Sequence, residues 1–265
     1  MKIIISHDVD HLFGRDHWFR DLSYPKLWIR STIQLMKRQI SGKEWWLRCS
    51  SAFRHKRNNI DEIMRFDKEN GVPSTFFFGM NQGLGLSYKS EEAKETILMT
   101  YRAGFDVGVH GIIYDSKEGI EKEYKKFIET VGFEPCGIRM HYVRFNENTF
   151  EYESQTGYYF DSTEFDKRKN GTRKDPYQVG NMWEFPLSIM DGYLSGNIDS
   201  MKESTLRFLS ECEKKRMGYV TILFHDCYFC EDYKDLYHWY IWLIGYLKKN
   251  YSFISFRDAI IQLNE

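Results

Sequence analysis

The chain has 265 residues, 42% hydrophobic and 28% charged, which is typical of a soluble globular protein with a sizeable core. Its formal net charge of −1 gives no support for nucleic acid as a partner. The five cysteines are an odd number without regular spacing, which argues against a disulfide framework. No stretch approaches the roughly 18 apolar residues of a membrane span, and the N-terminus lacks a signal-peptide pattern. We therefore expect a cytoplasmic protein.

Strand-like and helix-like segments alternate along the chain. After the first strand, "IIIS", and a long interval, the helix "NNIDEIMRFDKENG" places Ile60, Ile63 and Met64 at helical spacing before a stop at Gly71. Two further pairs of segments each predict a strand followed by a helix. They are "STFFFGM" with "SEEAKETILMTYRAG", and "FDVGVH" with "SKEGIEKEYKKFIETVG". Then come the short strands "CGIRMHY", "YYFDST" and "MWEFPLSIM", a helix from about 199 to 217, the strand "YVTILFHD", a helix from about 233 to 249, "FISF" and a last short helix.

This alternation predicts an α/β protein with a mainly parallel sheet that is buried on both faces. About eight strand candidates favour a closed barrel over an open sheet. No repeat or low-complexity linker divides the chain. We therefore predict a distorted (β/α)7–8 barrel, related to the TIM barrel, in a single domain that spans residues 1–265.

Residues 12–55 interrupt the alternation after the first strand. They contain Trp18, Trp28, Trp45 and Trp46 among many Arg and Lys residues, so we predict a helical insertion over one rim of the barrel. A basic, aromatic and amphipathic segment can make peripheral contact with a membrane surface or with an anionic lipid-linked substrate. A packed lid or a contact between subunits would explain the same composition.

Titratable residues stand at the ends of five predicted strands, where the active-site rim of a parallel barrel lies. Asp8 and Asp10 end the first strand, two residues apart and therefore on the same side. The other strand ends contribute His110, Arg139 with His141, Asp161, and His225 with Asp226. One carboxylate and two imidazoles suit a divalent metal such as zinc with an open position for water. A second carboxylate and a separate His can then act as general base and general acid, so the pattern predicts metal-assisted hydrolysis.

In residue order the chain resembles the NodB-type polysaccharide deacetylases, carbohydrate esterase family 4. The resemblance spans nearly the whole chain, from "SHDVDH" through "HGIIY", "RMHY" and "LFH" to the closing "SFISFRDAI". It implies a distorted (β/α) barrel, a metal held by one Asp and two His, and the removal of N- or O-linked acetyl groups from sugars. The chain would be a divergent branch, because its first motif reads Asp-Val-Asp and the commoner form has an adjacent Asp pair.

The resemblance also assigns roles to individual residues. It implies that Asp8 is the general base, that Asp10 and His110 are metal ligands, that Arg139 orients the base and that His225 is the general acid. The candidate substrate-binding residues are Tyr142, Arg144 and Asp161.

Two positions depart from the family pattern. Tyr114 stands where the second motif has its second ligand His, and Tyr is a poor zinc ligand unless it is ionised. His141 replaces the Pro of the third motif, and its spacing places it on the same side of the chain as Arg139. We hypothesise that His141 supplies the missing imidazole.

The sequence therefore predicts a zinc-dependent hydrolase that removes an acetyl group from a saccharide or a lipid-linked saccharide precursor. Tyr114 favours the alternative, a catalytically degenerate relative that binds saccharide without turnover. A redox function of the "CYFC" segment is a more distant alternative.

Overall fold

The computed structural model describes residues 1–13, 23–53, 58–86 and 88–265. The described residues form ten strands and nine α-helices. The strands are β1 (Lys2–Val9), β2 (Thr75–Gly79), β3 (Asp106–Gly111), β4 (Ile138–Met140), β5 (Phe160–Asp161), β6 (Tyr177–Val179), β7 (Met182–Glu184), β8 (Leu187–Met190), β9 (Tyr219–Leu223) and β10 (Ser252–Phe253). The helices are α1 (Ser23–Met36), α2 (Gly42–Ser50), α3 (Ile60–Asn70), α4 (Ser90–Arg102), α5 (Lys117–Val131), α6 (Thr149–Thr156), α7 (Ile198–Lys214), α8 (Lys234–Asn250) and α9 (Phe256–Asn264). Residues 14–22 and 54–55 of the predicted insertion, with Trp18, lie outside the described residues.

Nine strands form one curled sheet in the order β6-β7-β5-β4-β3-β2-β1-β9-β8, and β10 pairs with β1 beside this path. Neighbouring strands are parallel, except for the antiparallel pair of β6 and β7. The path ends at β6 and β8, so hydrogen bonds between the described strands do not close a ring. The predicted distorted (β/α) barrel is confirmed in this curled, half-barrel form.

The expectation of a single strand over "MWEFPLSIM" is wrong. β7 ends at Glu184 and β8 begins at Leu187, with Pro186 between them. Proline has no N–H to donate to a strand ladder, so it interrupts the pairing. The break lets β7 pair with β5 while β8 pairs with β9 at the other end of the sheet. As a result, the residue after β8, Asp191, lies beside the end of β9.

Local sequence signals set the helix ends. α5 begins after Ser116, whose side chain accepts a hydrogen bond from the N–H of Gly119. α3 ends at Gly71 (φ 71°) and α5 ends at Gly132 (φ 87°), both in the left-handed conformation. Glycine adopts this conformation without a Cβ clash, and its N–H can bond to the last helical carbonyls. The predicted stop at Gly71 is confirmed.

β1 is buried on both faces, and its alternate side chains enter different layers. Ile3 and Ile5 pack in the main apolar cluster, which includes the inner sides of the surrounding helices. Ile4 packs inside the curl of the sheet, in a second cluster with Phe77 of β2 and Phe256 of α9. The continuous burial of the strand explains its run of three Ile residues.

The same alternation separates His7 from the two aspartates of the first motif. His7 lies toward the helices, with Nε2 3.0 Å from Asp67 Oδ2 on α3. Tyr240 of α8 donates its hydroxyl to the other oxygen of Asp67 at 2.8 Å. His7 therefore helps to hold α3 and α8 on β1, while Asp8 and Asp10 follow Ile4 toward the inside of the curl.

The described part of the insertion, residues 23–53, contains α1 and α2. Arg48 of α2 donates its Nε–H to the carbonyl of Asp232 at 2.9 Å, and its guanidinium lies 5.0 Å from the ring centroid of Tyr233. These contacts attach the insertion to the turn that follows His225. α2 therefore lies beside this turn, which follows the carboxyl end of β9.

Candidate functional site

Three side chains from different strand ends converge at the carboxyl edge of the sheet. Asp10 follows β1, His110 lies in β3 and His141 follows β4. His110 Nε2 lies 3.0 Å from His141 Nδ1 and 3.3 Å from Asp10 Oδ1, and His141 Nδ1 lies 3.5 Å from Asp10 Oδ1. Within the described ranges, this is the one group of three His, Cys, Asp or Glu side chains close enough to share a metal ion.

The hydrogen bonds behind the two imidazoles fix which nitrogen faces the cluster. His110 Nδ1 lies 2.9 Å from the carbonyl of Arg139, and His141 Nε2 lies 3.0 Å from the carbonyl of Leu84. A carbonyl only accepts, so these two nitrogens carry the hydrogens. The opposite nitrogens of the neutral rings then present lone pairs to each other and to Asp10.

The donor set fits a divalent cation. Asp10 Oδ1 is buried and has no hydrogen-bond partner, so the cluster contains an oxygen that a cation would satisfy. Ligand atoms at the usual zinc distances lie roughly 3.3 Å apart around a tetrahedral ion. The observed separations of 3.0, 3.3 and 3.5 Å bracket this value. Asp10, His110 and His141 can therefore hold a zinc-type ion with a fourth position left for water or substrate.

The charges of the cluster also favour a cation. Burial opposes ionisation of Asp10, but the neighbouring imidazoles of His110, His225 and His141 hold its pKa well below the usual range. Burial and the neighbouring charge of His110 lower the pKa of His141. Burial also opposes protonation of His110, but the carboxylates of Asp8 and Asp10 outweigh it and raise the pKa. The carboxylate thus stays ionised, and the two imidazoles do not carry protons together.

Asp8 stands beside this cluster and is held by Arg139. The guanidinium of Arg139 donates from one nitrogen to Asp8 Oδ1 at 3.0 Å and to Ser6 Oγ at 2.8 Å. Its remaining N–H groups bond to the carbonyl and the hydroxyl of Ser162 at 2.8 and 2.9 Å. Asp8 Oδ2 is left facing the cluster, 3.7 Å from His110 Nε2. Arg139 is fully buried and held in one orientation, and its hydrogen bond therefore holds the Asp8 carboxylate in one orientation as well.

His225 flanks the cluster from β9 and is paired with a residue that the sequence reasoning missed. Its Nδ1 lies 2.8 Å from Asp191 Oδ1, and its backbone N–H donates to Asp191 Oδ2 at 2.5 Å. Nε2 is then directed into the site, 3.8 Å from Asp10 Oδ2. Burial opposes protonation of His225, but the buried carboxylate of Asp191 outweighs it and raises the pKa of His225 to about 10.

Tyr114, the residue at the family's second His position, has a different set of contacts. Its ring packs against the main apolar cluster, and the guanidinium of Arg144 lies 4.9 Å from its centroid. Its carbonyl accepts a hydrogen bond from Thr149 Oγ1 at 2.7 Å. These contacts are those of a packing residue.

Two of the candidate substrate-binding residues lie next to the cluster. Tyr142 follows His141 and is exposed, and its hydroxyl donates to the carbonyl of Leu84 at 2.9 Å. Arg144 donates to the carbonyl of Ile112 at 2.7 Å, and so ties the segment after β4 to the segment after β3. Leu84 accepts from both Tyr142 and His141, and no side-chain pattern in the sequence marks a backbone carbonyl for that role.

The structure does not bring Asp161, the third substrate-binding candidate, to the site. Asp161 is fully buried, and its Oδ1 accepts a hydrogen bond from Thr163 at 2.5 Å. Its neighbour Phe160 points into the curl of the sheet, so Asp161 points to the opposite face. There it lies with Glu184, its register partner on β7, and with Glu153 of α6.

Solved structures with the same architecture include deacetylases and related proteins. A protein named as a polysaccharide deacetylase from Mycobacterium smegmatis matches 99% of this chain and 90% of its own, with a TM-score of 0.64 and 16% identity. An allantoinase matches 98% of this chain and 88% of its own, with a TM-score of 0.59 and 13% identity. A carbohydrate esterase family 4 pseudoenzyme from Bacillus anthracis matches 98% of this chain and 65% of its own, with a TM-score of 0.52 and 10% identity. No protein-family model and no curated protein matches the sequence.

These likenesses show the fold. The chain has the NodB-like barrel of the polysaccharide deacetylases, and the resemblance seen in its motifs is confirmed at that level. The same fold carries enzymes and a pseudoenzyme, so the fold alone does not determine activity. None of the helices in the described ranges is both long and apolar enough to span a bilayer.

Proposed function

We propose that the chain is a metal-dependent hydrolase that removes an N- or O-linked acetyl group from a saccharide. The observation that carries the proposal is the convergence of Asp10 Oδ1, His110 Nε2 and His141 Nδ1 within 3.5 Å of one another. A second carboxylate, Asp8, and a third imidazole, His225, lie within 4 Å of this group. The likeness of the fold to polysaccharide deacetylases supports the class of reaction.

Asp10, His110 and His141 are the residues that would hold the metal. Two imidazoles and one carboxylate suit zinc, which takes nitrogen and oxygen ligands in a four-coordinate site. When bound, such an ion polarises the acetyl carbonyl and makes a water molecule more acidic. The hydrogen bonds from the imidazoles to the carbonyls of Arg139 and Leu84 keep the ligand nitrogens pointed inward.

Asp8 is the proposed general base. Its Oδ2 faces the site, while Oδ1 is occupied by the 3.0 Å hydrogen bond from Arg139. Arg139 is held in place, since its guanidinium also donates hydrogen bonds to Ser6 and Ser162. A carboxylate held in one orientation can accept the proton of the attacking water without a reorganisation step.

His225 is the proposed general acid. Its Nδ1–H is committed to Asp191, so Nε2 is the atom that can protonate the departing amine or hydroxyl. The carboxylate of Asp191 stabilises the imidazolium and keeps that proton in place until the leaving group develops charge. Base and acid are therefore separate residues, and each has its own buried partner of opposite charge.

We propose a lipid-linked saccharide precursor as the substrate. The exposed ring of Tyr142 lies 4.1 Å, centroid to centroid, from the ring of His141, and offers an apolar face with a polar end at the mouth of the site. The basic insertion, residues 23–53, is attached beside the turn after His225. A substrate with a sugar and an anionic lipid carrier would match both features.

A second candidate function is saccharide binding without turnover. It is favoured by Tyr114 at the family's ligand position and by the occurrence of a pseudoenzyme among proteins of this fold. It requires the site to bind saccharide without hydrolysing it, whether or not Asp10, His110 and His141 hold an ion.

Acetate release from acetylated saccharides distinguishes the two functions. Wild-type protein stripped with a chelator should release no acetate, and added zinc should restore release. Asp8→Asn should keep its zinc but release acetate at least roughly 100-fold more slowly, because the base is lost. Asp199→Asn, a change at an exposed carboxylate of α7, is the matched control and should leave the rate unchanged. Saccharide binding by zinc-loaded wild type without acetate release would establish the second function.

A further inference from the structure

α1 carries an apolar stripe on the side that faces solvent. Ile29, Ile33 and Met36 have 63%, 46% and 80% of their surface exposed. Their spacing of four and three residues places them along one side of the helix. A stripe of three large aliphatic side chains in water is unfavourable for an isolated protein, and it marks a surface that contacts a partner.

This stripe is separate from the face by which α1 packs on the protein. Tyr24 and Ser31 are fully buried, and Trp28 donates its indole N–H to the carbonyl of Cys49 at 3.1 Å. Those residues lie on the opposite side of the helix from the stripe. α1 therefore has a packed apolar face and a second, exposed apolar face.

Basic residues border the exposed stripe. Residues 23–53 contain six Lys or Arg residues and one acidic residue, although the whole chain has a formal net charge of −1. That acidic residue, Glu44, is paired with Arg48 at 3.2 Å. The exposed basic residues of the segment are Lys26, Arg30, Lys37, Arg38 and Lys43. On a helical projection Arg30 and Lys37 fall on the side next to the stripe.

Two aromatic side chains extend the same segment. Trp46 of α2 and Phe53 have 63% and 76% of their surface exposed. Aromatic rings are favoured at the level of lipid headgroups, where apolar and polar surroundings meet. An aliphatic stripe, exposed aromatic rings and a basic border are together the composition of a helix that lies in a membrane interface.

We propose that residues 23–53 form a membrane-binding surface for an anionic phospholipid bilayer. The apolar stripe would enter the headgroup region, and the basic residues would contact lipid phosphates. A second copy of the chain is a poorer occupant, because two strongly basic surfaces repel each other. Nucleic acid would use the basic residues but would leave Ile29, Ile33 and Met36 in water.

The surface lies near the candidate site. The chain enters the insertion soon after Asp10, and α2 is bound through Arg48 to the turn after His225. A chain bound by this surface would hold the carboxyl edge of the sheet near the lipid headgroups. The inference concerns binding alone and holds whether or not the chain hydrolyses a saccharide.

Vesicle co-sedimentation tests the proposal. Wild-type protein should sediment with vesicles of equimolar phosphatidylcholine and phosphatidylglycerol, and should stay in solution with vesicles of phosphatidylcholine alone. One variant combines Ile29→Ser, Ile33→Ser and Met36→Ser and removes the apolar stripe. A second variant combines Arg30→Glu, Lys37→Glu and Arg38→Glu and removes the basic border. Each should lower the partition coefficient at least roughly tenfold.

Matched variants on other helices control for general loss of apolar or basic residues. Ile261→Ser with Met99→Ser, and Lys122→Glu with Lys214→Glu, change exposed residues of the same chemistry and should bind vesicles like wild type. Equal binding by the α1 variants and wild type, or no binding by wild type, would overturn the proposal. A third result would also overturn the proposal: the protein is a dimer at assay concentrations, and the Ile29, Ile33 and Met36 changes convert it to a monomer without changing vesicle binding.

Discussion

His110 and His141 face each other across the candidate site with 3.0 Å between Nε2 and Nδ1. Each imidazole donates its other N–H to a backbone carbonyl, so the two facing nitrogens present lone pairs. Lone pairs at this distance repel unless a proton or a cation lies between them. Under the proposed function, His141 at the neighbouring strand end would supply the second imidazole ligand, and Tyr114 would not be needed as a ligand.

The carboxylate of Asp191 should set the proton affinity of His225. Asp191→Asn keeps the size of the side chain but removes the charge that raises the pKa of His225 to about 10. The pKa should fall toward the ordinary value of about 6.5, and a titration followed by NMR measures it directly. Because the acid must be protonated, the alkaline limb of the activity profile should move to lower pH, and kcat/KM at pH 8 should fall roughly 30-fold.

The half-buried Asp235→Asn, in the first turn of α8, is the control for the Asp191 variant and should leave the titration unchanged. An unchanged pKa of His225 in Asp191→Asn would show that the ion pair at 2.8 Å does not govern the protonation of the imidazole.

The buried carboxyl groups of Glu153, Asp161 and Glu184 should make the protein less stable as the pH rises. Burial raises the pKa of Asp161 to about 6, and burial with the neighbouring Asp161 carboxylate raises the pKa of Glu153 and Glu184 well above the usual range. The folded chain therefore binds more protons than the unfolded chain above the ordinary carboxyl pKa of about 4. The free energy of unfolding should fall from there up through the raised pKa values.

Replacing Glu184 by Gln should remove part of this pH dependence. The amide keeps an oxygen to accept the hydrogen bond from the backbone N–H of Glu164, which now goes to Glu184 Oε1 at 2.9 Å. Urea unfolding at pH 8 should show Glu184→Gln to be more stable than wild type by about 1 kcal/mol or more, with a smaller difference at pH 5. The exposed Glu129→Gln on α5 is the control. A variant less stable than wild type at pH 8 would contradict the expectation.

The hydroxyl of Tyr88 should stabilise the end of β1, one residue before the proposed metal ligand Asp10. The buried hydroxyl donates to the carbonyl of Val9 at 2.6 Å and accepts from the N–H of Gly79 at 2.7 Å. Tyr88→Phe leaves both backbone groups without this partner, so the free energy of unfolding should fall by about 1–3 kcal/mol. Tyr101→Phe, a change at an exposed tyrosine of α4, should be near neutral in the same urea titration. Equal stability of the two variants would show that the bridge contributes nothing.

Much of the site followed from one rule, that the carboxyl ends of parallel strands meet at one edge of the sheet. The rule brought together Asp8, Asp10, His110, Arg139 and His225, because each residue lies at or just after such an end. It also applies to Asp191, which follows β8. Asp191 directly follows the predicted strand "MWEFPLSIM", but that strand end was not among the five to which the rule was applied.

The rule about strand ends has to be combined with the alternation of side chains along a strand, which decides the face of the sheet on which a side chain lies. Asp161 ends β5, but it faces away from the curl because Phe160 occupies the interior position. The role of the Leu84 carbonyl was not predictable, since a backbone acceptor leaves no mark in the residue pattern. The half-barrel form of the sheet also depends on which strands pair, and strand counts alone do not determine that.

Zinc content is the most direct test of the central claim that Asp10, His110 and His141 bind a metal. The measurement is elemental analysis of purified wild type and single variants after zinc loading and dialysis. Wild type, Tyr114→Phe and the control His238→Ala, a half-buried histidine of α8, should each retain one zinc per chain, and His110→Ala and His141→Ala should lose it. Retention of zinc by His141→Ala, together with its loss from Tyr114→Phe, would contradict the account.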